Sequence, residues 1–221
     1  MAVQRIEDLQ RGLDRELAWR KKEISGLRIS AMKSDSERHY LFRAGLVLLC
    51  AHWEGFLKNG ASLYLDHVFS QGLRIADLTP LMVAVAFFDD VKNAAGASFP
   101  HSEHHHISLA RRILQGLDEV CVQPGWKIST GANPGSELLQ KILNSIGVDP
   151  RLGMDGAGWA ATMVFIDEQI LRDRHQIAHG MSFRLTRDEF LDRAERLSRL
   201  LDALHSTIMA SAVSQSYRKP A

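Results

Sequence analysis

"WAATMVFIDEQILRDRHQIAHG", residues 159–180, is the stretch on which the fold class turns. On a helix at about 100° per residue, Met163, Ile166, Ile170, Leu171, Ile177 and Ala178 gather on one broad face. The spacing predicts a long helix over 159–179, closed near Gly180. Arg174 falls on the apolar face, four residues after Ile170 and three before Ile177. Glu168, Arg172, His175 and His179 fall together on the opposite face. From spacing alone, Arg174 reads as a side chain snorkelling at the edge of a core, and the polar stripe as a solvated face. A metal reading uses His175 and His179, which share a face at i, i+4. The metalloprotease motif, however, needs Glu after the first His, and Gln176 stands there. A catalytic reading faces its own difficulty, because Arg174 and His179 are about 140° apart on a straight helix.

The rest of the chain is also nearly all helix by pattern. Ile6, Leu9, Leu13, Leu17, Ile24 and Leu27 mark an amphipathic N-terminal helix within residues 1–30. "SDSE" (34–37) offers caps for a helix from about Ser36 to Phe69, with Trp53 and Phe56 as core. Gly45, Gly55 and Gly60 in its interior suggest close helix contacts or a break. Thr79 and Pro80 suit the start of a third helix running through "LMVAVAFFDDV". Loops are expected at 93–106, with its "HSEHHH" run, and at 123–135, where a short strand is an option. "SELLQKILNSIG" is a short helix ended by Gly147, and "TRDE" (186–189) is a capping box opening the last helix, 187–213. The layout is one all-α helical bundle over 1–213, with a core at 36–180 and a loose tail at 214–221.

Bulk properties set limits. The 221 residues suffice for one domain with a real core. Net charge is +1, so a nucleic-acid role needs a local site rather than a global basic field. The two cysteines imply no disulfide framework and suit a cytoplasmic location; Cys50 reads as a small core residue. The longest apolar run, 44–51, is far short of the roughly 20 residues that span a bilayer.

"RDRHQIAHG" resembles the Arg–His signature of the HEPN superfamily, at the end of a long helix. "LLCAHWEGFLK" (Leu48 to Lys58) resembles the "AHWEGF" segment of a prokaryotic HEPN nuclease-like group. "SELLQKILNSIGVDP" (Ser136 to Pro150) resembles the segment that precedes the Arg–His helix there. The matches span roughly Arg38 to Ala212.

The resemblance implies an all-α bundle of HEPN type that forms a two-fold homodimer with a composite cleft. It implies a metal-independent endoribonuclease, with no cofactor, serving as a toxin or anti-phage defence effector. RNA would be the substrate and an antitoxin protein a candidate partner. His179 would do acid–base work and Arg174 would hold the scissile phosphate. His175 takes a slot that is often Asn in the family and is an auxiliary candidate. Glu54 would pair with Arg174, and Arg172, on the His179 face, is a further phosphate candidate. The Tyr found two residues after the His in one subgroup is Met181 here, so regulation through such a Tyr is not expected. The alternative function is a non-catalytic HEPN module that binds RNA, a nucleotide or a partner protein.

Overall fold

The computed structural model describes residues 5–95, 103–122, 127–131 and 134–220, with the backbone alone at 103 and 104. Helices run over Ile6–Lys33 (α1), His39–Phe69 (α2), Pro80–Ala86 (α3), Phe88–Ala95 (α4), Glu103–Gly116 (α5), Ser136–Ser145 (α6), Gly156–Val164 (α7), Asp173–Ala178 (α8) and Arg187–Val213 (α9). Between α7 and α8 the same helix continues as a π segment, Phe165–Arg172. No strand forms among the described residues; there are two isolated bridges, Arg74 with Val120 and Leu78 with Arg218. The chain is an all-α bundle, as the periodicity predicts.

The three long helices α1, α2 and α9 pack on one another and hold the centre of the core. Leu9, Leu13 and Ile24 of α1 meet Leu49, Trp53, Phe56 and Leu57 of α2 and Leu197, Leu201, Leu204 and Ile208 of α9, all of them buried. Such stripes drive the association because each buried side chain of this size contributes about 1.5–3 kcal/mol. Gly45 brings α2 close to α9: a Cβ there would lie 2.6 Å from Cε2 of Phe190. The π segment and α8 pack on the outer part of α2.

The "HWEGF" segment of α2 is tied down residue by residue. Trp53 Nε1 donates to the Pro134 carbonyl at 2.8 Å, fixing the loop before α6. Gly55 admits the buried Arg20, whose Nη2 would sit 2.8 Å from a Cβ at that position. Arg20 lies over the Trp19 ring and bonds Glu16. His52 is buried beside Trp19, with Nε2 3.0 Å from a Glu23 carboxylate oxygen but outside hydrogen-bonding geometry.

Several boundaries differ from the pattern reading. The second helix starts at His39, not Ser36, because Asp35 accepts the Glu37 N–H and closes a turn instead of capping. The expected third helix breaks at the buried Phe87, which separates α3 from α4. The expected loop at 93–106 contains the end of α4 and the start of α5; residues 96–102 lie outside the described residues. Residues 127–131 form no strand, and 123–126 and 132–133 lie outside the described residues. The expected loose tail is docked through Lys219: Tyr217 is buried against Tyr64 and His67, its carbonyl accepts the Thr79 N–H at 2.9 Å, and the Lys219 N–H donates to the Asp77 carbonyl. The TRDE box forms as expected, with Thr186 and Glu189 satisfying each other's backbone.

Gly45→Ala is expected to cost about 2 kcal/mol by overpacking against Phe190. For a chain of this size that lowers Tm by about 4–8 °C. Thermal unfolding followed by circular dichroism measures it; an unchanged or raised Tm would show that the ring moves aside freely.

Candidate functional site

The candidate site is built where the 165–180 helix ends against α2. Its register is set by a contact that crosses from α9. Arg193, buried on α9, places Nη1 2.7 Å from a carboxylate oxygen of the buried Asp173. The same nitrogen donates to the Gln169 carbonyl at 2.9 Å. In an α-helix that carbonyl would accept from the N–H of Asp173. Here the Asp173 N–H turns to the Ile170 carbonyl instead. Arg193 therefore enters the helix ladder where the π segment gives way to α8, a recognised cause of helix irregularity. Arg196 of α9 reinforces the junction by donating to the Gln169 side chain and lying over the Phe165 ring. On the far side, Asp167 accepts both the backbone N–H and the hydroxyl of Ser136, fixing the start of α6.

The expected faces hold in outline. Ile166 and Ile170 are buried, Met163, Leu171, Arg174 and Ile177 are half-buried, and Ala178 is exposed. The innermost residue of α8 is Asp173, which the sequence reading passed over. Its spacing carried the signal: Asp173 is seven residues after Ile166 and three after Ile170. Arg193 carried a similar one, three after Phe190 and four before Leu197 on α9.

Arg174 reaches toward α2, where its charge acts on the Cys50 thiol. Burial pushes that thiol up to about 11, Arg174 lowers it and Glu54 raises it. Arg174 has no hydrogen bond or ion pair among the described residues. The expected pairing of Glu54 with Arg174 is not formed. Glu54 instead accepts a 2.8 Å hydrogen bond from Thr130 Oγ1, because the 127–131 segment packs on this part of α2 and supplies a nearer donor. Both charges act on the Cys50 thiol in opposite directions, but the two side chains do not pair with each other.

His175 and His179 are exposed, with ring centroids 4.2 Å apart. His179 ends α8, and Gly180 at φ 71° reverses the chain. Its N–H bonds Ile177 and that of Met181 bonds Gln176, the Schellman pattern that left-handed glycine permits. Arg172 is engaged by Glu168 and lies 3.6 Å from Asp173. Arg43 of α2, absent from the sequence candidates, reaches the Met181 carbonyl at 3.4 Å. The structure thus gathers Arg174, Cys50 and Glu54 on the α2 side and His175 and His179 at the helix end, and ties Arg172 to its own face.

Among the described residues no group of three or more His, Cys, Asp or Glu side chains is placed to hold a metal ion. His101 and the His104 side chain of the "HSEHHH" run lie outside the described residues; His106 bonds the Ala94 carbonyl. Among the described residues no helix is long and apolar enough to cross a membrane.

A family model described as RiboL-PSP-HEPN matches residues 15–210. No curated protein matches the chain. No solved structure matches it either.

Removing either member of the Asp173–Arg193 pair leaves the other charge buried and alone, so Asp173→Ala or Arg193→Ala is expected to cost about 3–5 kcal/mol. Asp173→Leu with Arg193→Met is expected to cost less than either single change. Urea unfolding of the three variants tests this; a double variant no better than the singles would contradict it.

Proposed function

This chain belongs to the RiboL-PSP-HEPN family of the HEPN superfamily, and on that premise we propose that it is a metal-independent endoribonuclease working through Arg174 and His179. The observation that carries the reading is the state of Arg174: a half-buried guanidinium, next to His175 and five residues before His179 of an exposed histidine pair, with no carboxylate to neutralise it among the described residues. A half-buried arginine without an acid partner is suited to meet an anion, and a phosphodiester is the anion its planar fork fits best.

The chemistry follows from the side chains. The ribose 2′-hydroxyl attacks the adjacent phosphorus; the new O–P bond forms as the bond to the 5′-oxygen breaks. His179 takes the hydroxyl proton, since an imidazole is suited to proton transfer near neutral pH. The leaving oxygen collects a proton from an imidazolium, for which His175 stands beside it. Arg174 neutralises the charge that grows on the phosphoryl oxygens. The products are a 2′,3′-cyclic phosphate and a 5′-hydroxyl.

Arg174 and His179 leave α8 in different directions, so the proposed cleft joins Arg174 of one copy to His179 of a second. An apolar stripe on α2 supports such a pairing. Tyr40, Leu41, Val47 and Leu48 are exposed on the helix that carries the site. A homodimer would cover these side chains, whose exposure in a lone chain is costly. The biological setting proposed is a toxin or anti-phage effector acting on cellular RNA in the cytoplasm, restrained by an antitoxin protein.

The purified chain incubated with mixed RNAs in EDTA is expected to release cyclic-phosphate ends. His179→Ala should lower the rate by about 10²-fold or more, and Arg174→Ala by about 10²–10³-fold. Cleavage by His179→Ala at the parental rate overturns the assignment. RNA binding with no cleavage by the parent chain would mark a non-catalytic RNA-binding module instead.

A further inference from the structure

Arg43 has an environment that its position on a long amphipathic helix does not explain. It lies on α2 seven residues before Cys50 and eleven before Glu54, on the helix line that faces α8. Its Nη2 makes one long contact, 3.4 Å, to the Met181 carbonyl. That carbonyl belongs to the turn closed by Gly180, two residues past His179. Its Nε is shut off from solvent and has no hydrogen-bond partner. No carboxylate lies within ion-pair range of Arg43 among the described residues. Other arginines around the motif helix differ: Arg172 faces Glu168, Arg193 faces Asp173 and Arg196 faces Asp192.

The two helices run antiparallel here. α8 packs on α2 with the Arg174 charge acting on Cys50, Met181 accepts from Arg43, and the Leu185 carbonyl bonds His39 further toward the start of α2. Arg43 is thus a second arginine without an acid partner among the described residues, along the same contact between α2 and α8 as Arg174 but at the level of the turn after His179. The levels of Arg43 and Cys50 differ by about 10 Å along α2, at 1.5 Å per residue. That separation gives the two guanidiniums separate anions rather than one shared anion.

We propose that Arg43 is a second phosphate-binding residue, holding an RNA backbone phosphate other than the one at the scissile bond. The inference rests on the proposal that RNA binds along this side of the α2–α8 contact. A flexible single strand brings a regular series of phosphates, and two fixed arginines along its path set its register. The bidentate fork of Arg43 would replace the poor Met181 contact with charge-assisted bonds.

The test uses an RNA oligonucleotide that is 2′-O-methylated throughout, which keeps every phosphate and lacks the attacking hydroxyl. Its affinity for the full chain is measured by fluorescence anisotropy at several salt concentrations. Arg43→Gln is expected to weaken binding about tenfold at low salt. It should also reduce the slope of log Kd against log salt by about 0.7, the loss of one phosphate contact on a single strand. Arg43→Lys, which keeps the charge, should restore the slope. A parental slope in Arg43→Gln, or no binding by the parent chain, overturns the proposal. Because the oligonucleotide cannot be cut, the outcome is independent of catalysis. A reduced slope in a chain that never cleaves RNA upholds Arg43 and removes the nuclease reading; cleavage with an unchanged slope does the reverse.

Discussion

The guanidinium of Arg193 sits where the π segment becomes α8, and the geometry of the candidate site follows from it. By taking the Gln169 carbonyl and pairing with Asp173, it pins one turn of the motif helix to α9. Asp173 is thereby committed to the interior. The next residue, Arg174, is turned toward α2, and His175 and His179 are left on the open side. A pair this deeply buried is held by mutual dependence rather than by net attraction, since either charge alone would be costly. The capping box at Thr186 and the packing of Phe190 on Gly45 place the start of α9, and with it Arg193, at the right height. The helix end that carries His175 and His179 is in this way fixed by a neighbour rather than by its own propensity.

On α2 the same economy appears. The residues around the site are a buried thiol, a carboxylate already engaged by Thr130, and an arginine that among the described residues is bound only to a carbonyl. A salt bridge from Glu54 to Arg174 would have quenched the charge that the proposed chemistry needs. Thr130 holds the carboxylate while leaving Arg174 open to an incoming anion. The "HWEGF" segment thus serves the site indirectly. Trp53 anchors the loop before α6, Gly55 admits Arg20, and Phe56 fills the core beneath it. The segment is mainly a device that joins α1, α2 and the loop bearing Thr130.

The all-α class, the motif helix and its closure at Gly180 were legible because they rest on local rules: period, caps and a glycine that tolerates a positive φ. The core roles of Trp53, Phe56 and Cys50 were legible for the same reason. The features that were missed are set by distant contacts. No local pattern announces that Tyr217 will dock beside Tyr64 and His67, or that Thr130 will reach Glu54 first. The π segment was invisible because Arg193, which enters its ladder, is 24 residues downstream of Gln169. Asp173 was the avoidable miss, since its spacing already placed it on the buried side. Arg43 gave no warning at all, because an arginine on an amphipathic helix usually snorkels.

Arg174 and His179 lie on diverging faces of one short helix, so the proposed chemistry needs a cleft composed from two copies. Co-expression of Arg174→Ala and His179→Ala chains, separately tagged and purified as the mixed dimer, tests it most directly. If Arg174 of one copy serves His179 of the other, each mixed dimer holds one intact site and one doubly altered site. Each variant alone then cleaves RNA at about a hundredth of the parental rate or less, while the mixed dimer recovers about half of the parental rate, the fraction expected for a two-fold assembly. A mixed dimer as inactive as its two components would contradict the account and place both residues of the site in a single copy.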